Sequence, residues 1–471
     1  MGNRGRYLFK NTSIFAIGEL GNKLINFILV PLYTYVLTKE QYGTVDLIMT
    51  LSIMISPLVM LNLGEGLMRY AMDKDADYNQ LSSIAIYAIL FGFVISLLIF
   101  PLSAFSPIVY EYRVYFYLYV VLSATYSVVT SFMRGKELLK QYVCCNLLNT
   151  FLIAVFNIFF LVYLKSGVEG YLLAYILAKF ICVILSLFLC RFIEKGKKFD
   201  FNVKLAKELA LFSLAVVPTS LLWWCINSSD RIMITQMSGI AENGILAISY
   251  KIPSILVIFN NIFMQAWKFS AIKEKDSLDG EKFTNDMFQQ YMISSMIISA
   301  TMIIIIRIIT KVLFAPNYYE SWEASVFLLV GYVFMGLSTF VGTVYYVEKN
   351  MIGNMLSAVV GAVVNIVLNL ILIPVLGPSG ATLAALCCYF AVLVYRYIDT
   401  RKYQKINVFT KNNIAMYIML LGIGLGIYIN NIWGMAVSIL IYAVFLLINR
   451  SYAVKLIKSR IKTIKEIKRS K

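Results

Sequence analysis

The chain has 471 residues, 60% hydrophobic and 14% charged, with a mean hydropathy of +0.76. Soluble globular chains carry roughly 45–50% apolar and about 25% charged residues, so the polar surface for several soluble domains is missing. The absence of histidine removes His metal ligands and Ser/His or Cys/His nucleophilic catalysis, and the net charge of +17 lies in short gaps between apolar runs, which argues against nucleic acid as a partner.

The seven cysteines all sit within apolar runs. Cys144-Cys145 and Cys387-Cys388 are adjacent pairs without zinc or redox spacing, so they read as small packing residues. No catalytic residue, metal ligand or cofactor is expected.

A bilayer core asks for about 20 apolar residues per helix, and that ruler gives about fourteen spans. They centre on 11–36, 42–66, 80–104, 112–133, 143–164, 168–190, 208–229, 243–268, 287–310, 322–346, 352–373, 378–399, 412–429 and 432–449. The first run follows Arg4, Arg6 and Lys10 and is too long for a cleaved signal core, so it reads as a retained anchor.

Within span 1, Glu19, Asn22, Lys23 and Asn26 form one polar helical stripe. A Glu19–Lys23 pair would neutralise itself, but four polar positions favour a face on a wet cavity, with Glu19 a candidate for coupling to a proton or sodium gradient. The turn Thr38-Lys-Glu-Gln-Tyr-Gly43 fits a capping box through Thr38 and Gln41. Its weak echo, Ser238 to Gly244, lies about 200 residues on, with Ser238 suited to capping the next helix. Glu65 and Arg69, one turn apart at the inner end of span 2, suit an inner gate or a surface ion pair equally.

Span 6 places Tyr171, Tyr175 and Lys179 at four-residue spacing, with Lys179 near mid-membrane. Asp230 and Arg231 follow span 7 at a rim, where a solvated pair is the default. Span 8 carries Lys251, Ser254, Asn261, Gln265 and Lys268 at helical spacing, and Arg307 lies near the outer end of span 9. Span 11 sets Asn354, Ser357, Gly361, Asn365 and Asn369 on one face, which fits interhelical hydrogen bonding as well as substrate contact. Pro57, Pro218 and Pro253 permit kinks in spans 2, 7 and 8.

Basic residues alternate by loop. Those at the N-terminus, at 134–140, 191–207 and 396–411 and in the tail share one side, while Lys39, Arg113, Lys165, Arg231 and Lys311 lie on the other. This places both termini in the cytoplasm. The tail, 451–471, reads as a basic amphipathic helix on an anionic leaflet. The fold class is therefore an all-α integral membrane protein: an N-lobe over 1–200, a pseudo-symmetric C-lobe over 201–405, two further helices over 406–450, and the tail. Lys23, Lys179 and Lys251 give the interior surplus positive charge, suited to a phosphate or pyrophosphate head.

The stretches Lys10 to Gly18, Lys23 to Thr34 and Glu40-Gln-Tyr-Gly43 resemble the opening of bacterial polysaccharide flippases. These are the Wzx-like O-antigen and capsule repeat-unit transporters of the MOP superfamily, relatives of MATE exporters and the lipid II flippase. Ser229-Asp-Arg231 and Ala266-Trp-Lys268 are similar to the family's second half. The resemblance implies two six-helix lobes, alternating access in the cytoplasmic membrane, a cationic lumen and undecaprenyl-pyrophosphate-linked oligosaccharide as cargo. Membrane lipids, a polysaccharide polymerase and chain-length proteins are implied as partners. On this reading Lys23, Asn26, Lys179, Lys251, Arg307 and Asn365 bind cargo, and Glu19, Glu65 and Arg69 serve coupling or gating. The rivals are a MATE-like small-molecule exporter, which would need more lumenal acid than Glu19 and Asp46 supply, and a polymerase or glycosyltransferase, which would need a larger outer loop. A scaffold would not need polar stripes at bilayer depth.

Overall fold

A computed structural model describes residues 3–73, 75–191, 200–273, 279–348 and 350–450, with the side chains of the first helix described from Leu20 onward. The expected amphipathic tail lies outside the described residues, as do Lys195, Lys197 and Lys198 of the basic 191–207 segment and the Glu19 side chain. Among the described residues the chain is helical throughout and forms no strand.

The chain separates into two compact units, 1–247 and 248–471. The first contains α1 (Asn3–Val36), α2 (Lys39–Val59), α3 (Leu63–Ala71), α4 (Tyr78–Ser96), α5 (Ile99–Leu102), α6 (Pro107–Glu111), α7 (Arg113–Gly135), α8 (Leu139–Asn157), α9 (Gly167–Leu189), α10 (Val203–Met237) and the start of α11 (Ile240–Ser249). The second contains the end of α11 with α12 (Ser254–Lys273), α13 (Gly280–Leu313), α14 (Ser321–Val347), α15 (Met351–Thr400), α16 (Lys411–Tyr428) and α17 (Ile432–Ile448).

Local chemistry sets the breaks. The Thr38 hydroxyl accepts the Gln41 N–H at 3.2 Å while the Gln41 side chain accepts the Thr38 N–H at 3.1 Å, which closes the capping box and starts α2. Pro57 occupies the last turn of α2, and Leu61 and Asn62 then take left-handed φ values of 47° and 53°, so span 2 is a broken helix. Ser238 does not open α11. It closes α10, where Gly239 turns the chain with φ 99° and donates its N–H to the Ile234 carbonyl at 3.1 Å. The expected stripe on span 8 is also interrupted: Pro253 lies in a break between α11 and α12, which meet at 48°, so Lys251 sits on a corner and not on a continuous face.

In the first unit α10 packs on α2 and α3, and α7, α8 and α9 pack on one another with α1 against α8. In the second unit α14 is buried along almost its whole length and is wrapped by α12, α13, α15 and α16. Among the described residues nine helices are long and apolar enough to cross a membrane, or ten with α11 and α12 taken as one bent span. This falls short of the expected fourteen. One reason is that α15 runs 50 residues through both span 11 and span 12, folded back at Gly377 with φ 54°. Another is that α17 is only 17 residues long.

Candidate functional site

The first unit holds a polar seam between its long apolar helices. Four residues on α1, α8 and α7 build it. Thr150 on α8 donates its hydroxyl to the Asn22 side chain of α1 at 3.0 Å, and Tyr126 on α7 donates its hydroxyl to the Asn146 side chain of α8 at 3.0 Å. Lys179 on α9 stands with its ammonium 4.4 Å from the centre of the Tyr126 ring, a cation–π contact. Among the described residues no carboxylate pairs with Lys179. One and two turns away on α9, Tyr175 and Tyr171 stack at 4.8 Å, with Tyr171 donating its hydroxyl to that of Tyr175 at 3.1 Å.

The span 1 stripe divides in the structure. Asn22 turns toward α8, whereas Lys23 and Asn26 are exposed. Asn365 is buried and accepts the side-chain N–H of Asn369 one turn on at 3.0 Å. Arg307 donates to the Ile427 carbonyl in the last turn of α16 at 2.6 Å and lies 4.3 Å above the Trp322 ring. Its charge is thus set on the negative end of a helix dipole. Glu65 and Arg69 do not pair with each other: Arg69 bonds Asp73, and Glu65 approaches Arg134 at 3.7 Å. Asp73 holds the Arg69 guanidinium above its ordinary range. Both members of the Arg69–Asp73 pair are half-exposed, and such pairs contribute little. Arg69→Ala is therefore expected to leave both the thermal midpoint and transport unchanged, measured by thermal denaturation in detergent and by a vesicle assay.

A second locus joins the expected Asp230–Arg231 pair to a residue of α2. Arg231 is not at a solvated rim. It lies within α10 and bonds Asp46 of α2 at 2.8 Å through its Nε and the neighbouring Asp230 at 3.4 Å, with all three side chains largely buried. One turn away, the Asn243 amide donates to the Gly43 carbonyl at 2.9 Å. A third locus is Arg396, expected among loop charges but 3% exposed in the second unit. It donates to Ser357 Oγ, the Ser338 carbonyl and Asn354 Oδ1, each at 2.9 Å. The polar positions Asn354 and Ser357 on span 11 were the available signal for this partner.

Long apolar helices carrying polar and ionic groups between them define an all-helical, multi-pass membrane protein, and comparison with solved structures finds the same fold. The chain is similar to the lipid II flippase MurJ in an inward closed conformation, with 14% identity, 93% of this chain and 99% of that chain covered, and a TM-score of 0.68. It is similar to a multidrug resistance MATE family transporter of the MOP superfamily in an inward-facing conformation, with 13% identity, coverage of 82% and 97%, and a TM-score of 0.65. A MOP superfamily transporter from Pyrococcus furiosus shares 11% identity, with coverage of 83% and 94% and a TM-score of 0.54. At these identities the likeness is one of fold. The sequence itself matches the polysaccharide biosynthesis protein family over residues 8–269, more than half of the chain, and the chain belongs to that family. No curated protein matches it.

Proposed function

We propose that this transporter flips an undecaprenyl-pyrophosphate-linked oligosaccharide from the cytoplasmic to the outer leaflet of the cytoplasmic membrane. The observation that carries the reading is Lys179, a cation at mid-span faced by the ring of Tyr126, with no carboxylate partner among the described residues. An intramembrane lysine of this kind asks for a functional reason, and a pyrophosphate supplies the missing anion. The family's role in polysaccharide biosynthesis gives the head its sugar. Exposed Lys23 on α1 suits first capture, and Lys251 suits the corner where α11 bends into α12. A proton or sodium gradient drives the cycle, and both termini face the cytoplasm.

The test is a vesicle assay. Purified protein is reconstituted with a pyrophosphate-linked prenyl oligosaccharide, and exposure on the far leaflet is followed with a glycan-trimming enzyme. Loss of a charge-assisted contact of about 1.5–3 kcal/mol predicts that Lys179→Gln slows flipping by roughly 10–100-fold. Unchanged flipping by properly inserted Lys179→Gln would refute cationic capture. Efflux of a soluble cation from the same vesicles, with no lipid flipping, would favour an exporter.

A further inference from the structure

The two turns that echo each other in sequence meet in the first unit. A side-chain carbon on Gly43 would fall on the carbonyl oxygen of Ile240, and one on Gly244 would fall on that of Lys39, so each glycine lies against the residue four positions before the other. This reciprocal approach leaves no room for a side chain on either helix. Asn243 ties the crossing to the Gly43 carbonyl, but among the described residues its own buried Oδ1 has no partner. The closed crossing is thus tight without being fully satisfied.

Beyond this α2–α11 crossing α2 runs along α10, and the ties of that seam weaken with distance from the crossing. Asp46 bonds Arg231, then the Trp224 ring N–H reaches the Thr50 carbonyl at 3.2 Å, and beyond that the helices part around an open cleft of about 320 Å³ lined by Ile53, Met54, Pro57, Val217 and Leu221. The ion pair is the strong contact of the seam.

Breaking a buried pair ordinarily strands a charge, at a cost of about 3–5 kcal/mol. Here Asp230, next to Arg231 on the same helix, also holds the guanidinium. If α2 withdraws with Asp46, Arg231 keeps an anionic partner.

We propose that Asp46 and Arg231 are the positioning residues of a gate at this end of the transport path, and that Asp230 is the holding partner that lets the gate part. The proposal rests on the transport reading above. Closed, the Asp46–Arg231 pair holds α2 on α10 and seats the glycine crossing. Open, Arg231 rests on Asp230, and Asp46 withdraws with α2.

The test uses the full chain in lipid nanodiscs, with its seven cysteines replaced and spin labels at Lys39→Cys and Glu242→Cys. Asp46→Asn is expected to enlarge the long-distance population several-fold, Asp230→Asn to deplete it, and the exchanged pair Asp46→Arg with Arg231→Asp to restore the short distance. A distribution unmoved by Asp46→Asn and Asp230→Asn would overturn the gate, whatever the cargo. In vesicles, a reducible cross-link between cysteines at 46 and 231 should cut flipping at least tenfold, with recovery on reduction. Full flipping by cross-linked protein would make the pair a static brace. Distances that respond in protein that flips no lipid would leave the gate standing and sink the cargo reading.

Discussion

Gly43→Ala is expected to lower the thermal midpoint in detergent and to reduce transport at least tenfold. The added methyl would land on the Ile240 backbone, and backbone cannot swing aside as the end of a flexible side chain can. The α2 and α11 helices would have to separate, and overpacking of this kind costs about 1–3 kcal/mol. Separation would also stretch the buried bond from Asn243 to the Gly43 carbonyl, a further loss of about 1 kcal/mol. Gly244→Ala should reproduce the defect, because the crossing is reciprocal. A control at Gly422, which faces only the flexible end of Ile441, should be mild. Equal thermal midpoints for Gly43→Ala and Gly422→Ala would show that the crossing is looser than the structure indicates.

The largest loss of stability is expected at Arg396. Its guanidinium, on the second leg of α15, satisfies three oxygens on two other segments: Ser338 on α14, and Asn354 and Ser357 on the first leg of α15. Arg396→Leu would remove the donor and leave the buried Ser357 hydroxyl, the Ser338 carbonyl and the half-buried Asn354 oxygen without it, a loss of roughly 2–4 kcal/mol. Arg396→Lys keeps the charge but not the planar fork, so it should recover only part of that loss. Gly342 leaves the space that the guanidinium fills, and a side chain there would meet it. Thermal denaturation of Arg396→Leu and Arg396→Lys checks this order, and an Arg396→Leu protein as stable as the parent would show that the cluster holds nothing together.

The sequence was informative wherever a single helix decides the outcome. The capping box at Thr38 and Gln41, the breaks near Pro57 and Pro253, and the long apolar helices are local properties, readable from spacing and side-chain type. Residue pairing was not readable. Asp46 and Arg231 are 185 positions apart, and no periodicity on either helix says that they meet. Arg396 looked like a loop charge because it opens a basic cluster, although it is folded inward onto span 11. Glu65 and Arg69 show the converse. Helical spacing put them within reach of each other, but Asp73, four residues beyond Arg69 and just past the end of α3, takes the guanidinium. Periodicity on span 8 overreached for a different reason: a proline sits where the stripe needed an unbroken helix.

The fold-back of α15 has a consequence for how the chain enters the bilayer. Between Lys349 and Arg396 the sequence contains no charged residue, and the turn at Gly377 is flanked by Pro374, Pro378 and Ser379. A charged side chain at the centre of a helix costs about 2.5–3.5 kcal/mol to insert, and the tip of this hairpin carries none across. The two legs can therefore slide into the hydrocarbon together as one wedge during synthesis, with the basic residues that follow Arg396 left behind as the anchor that fixes its direction.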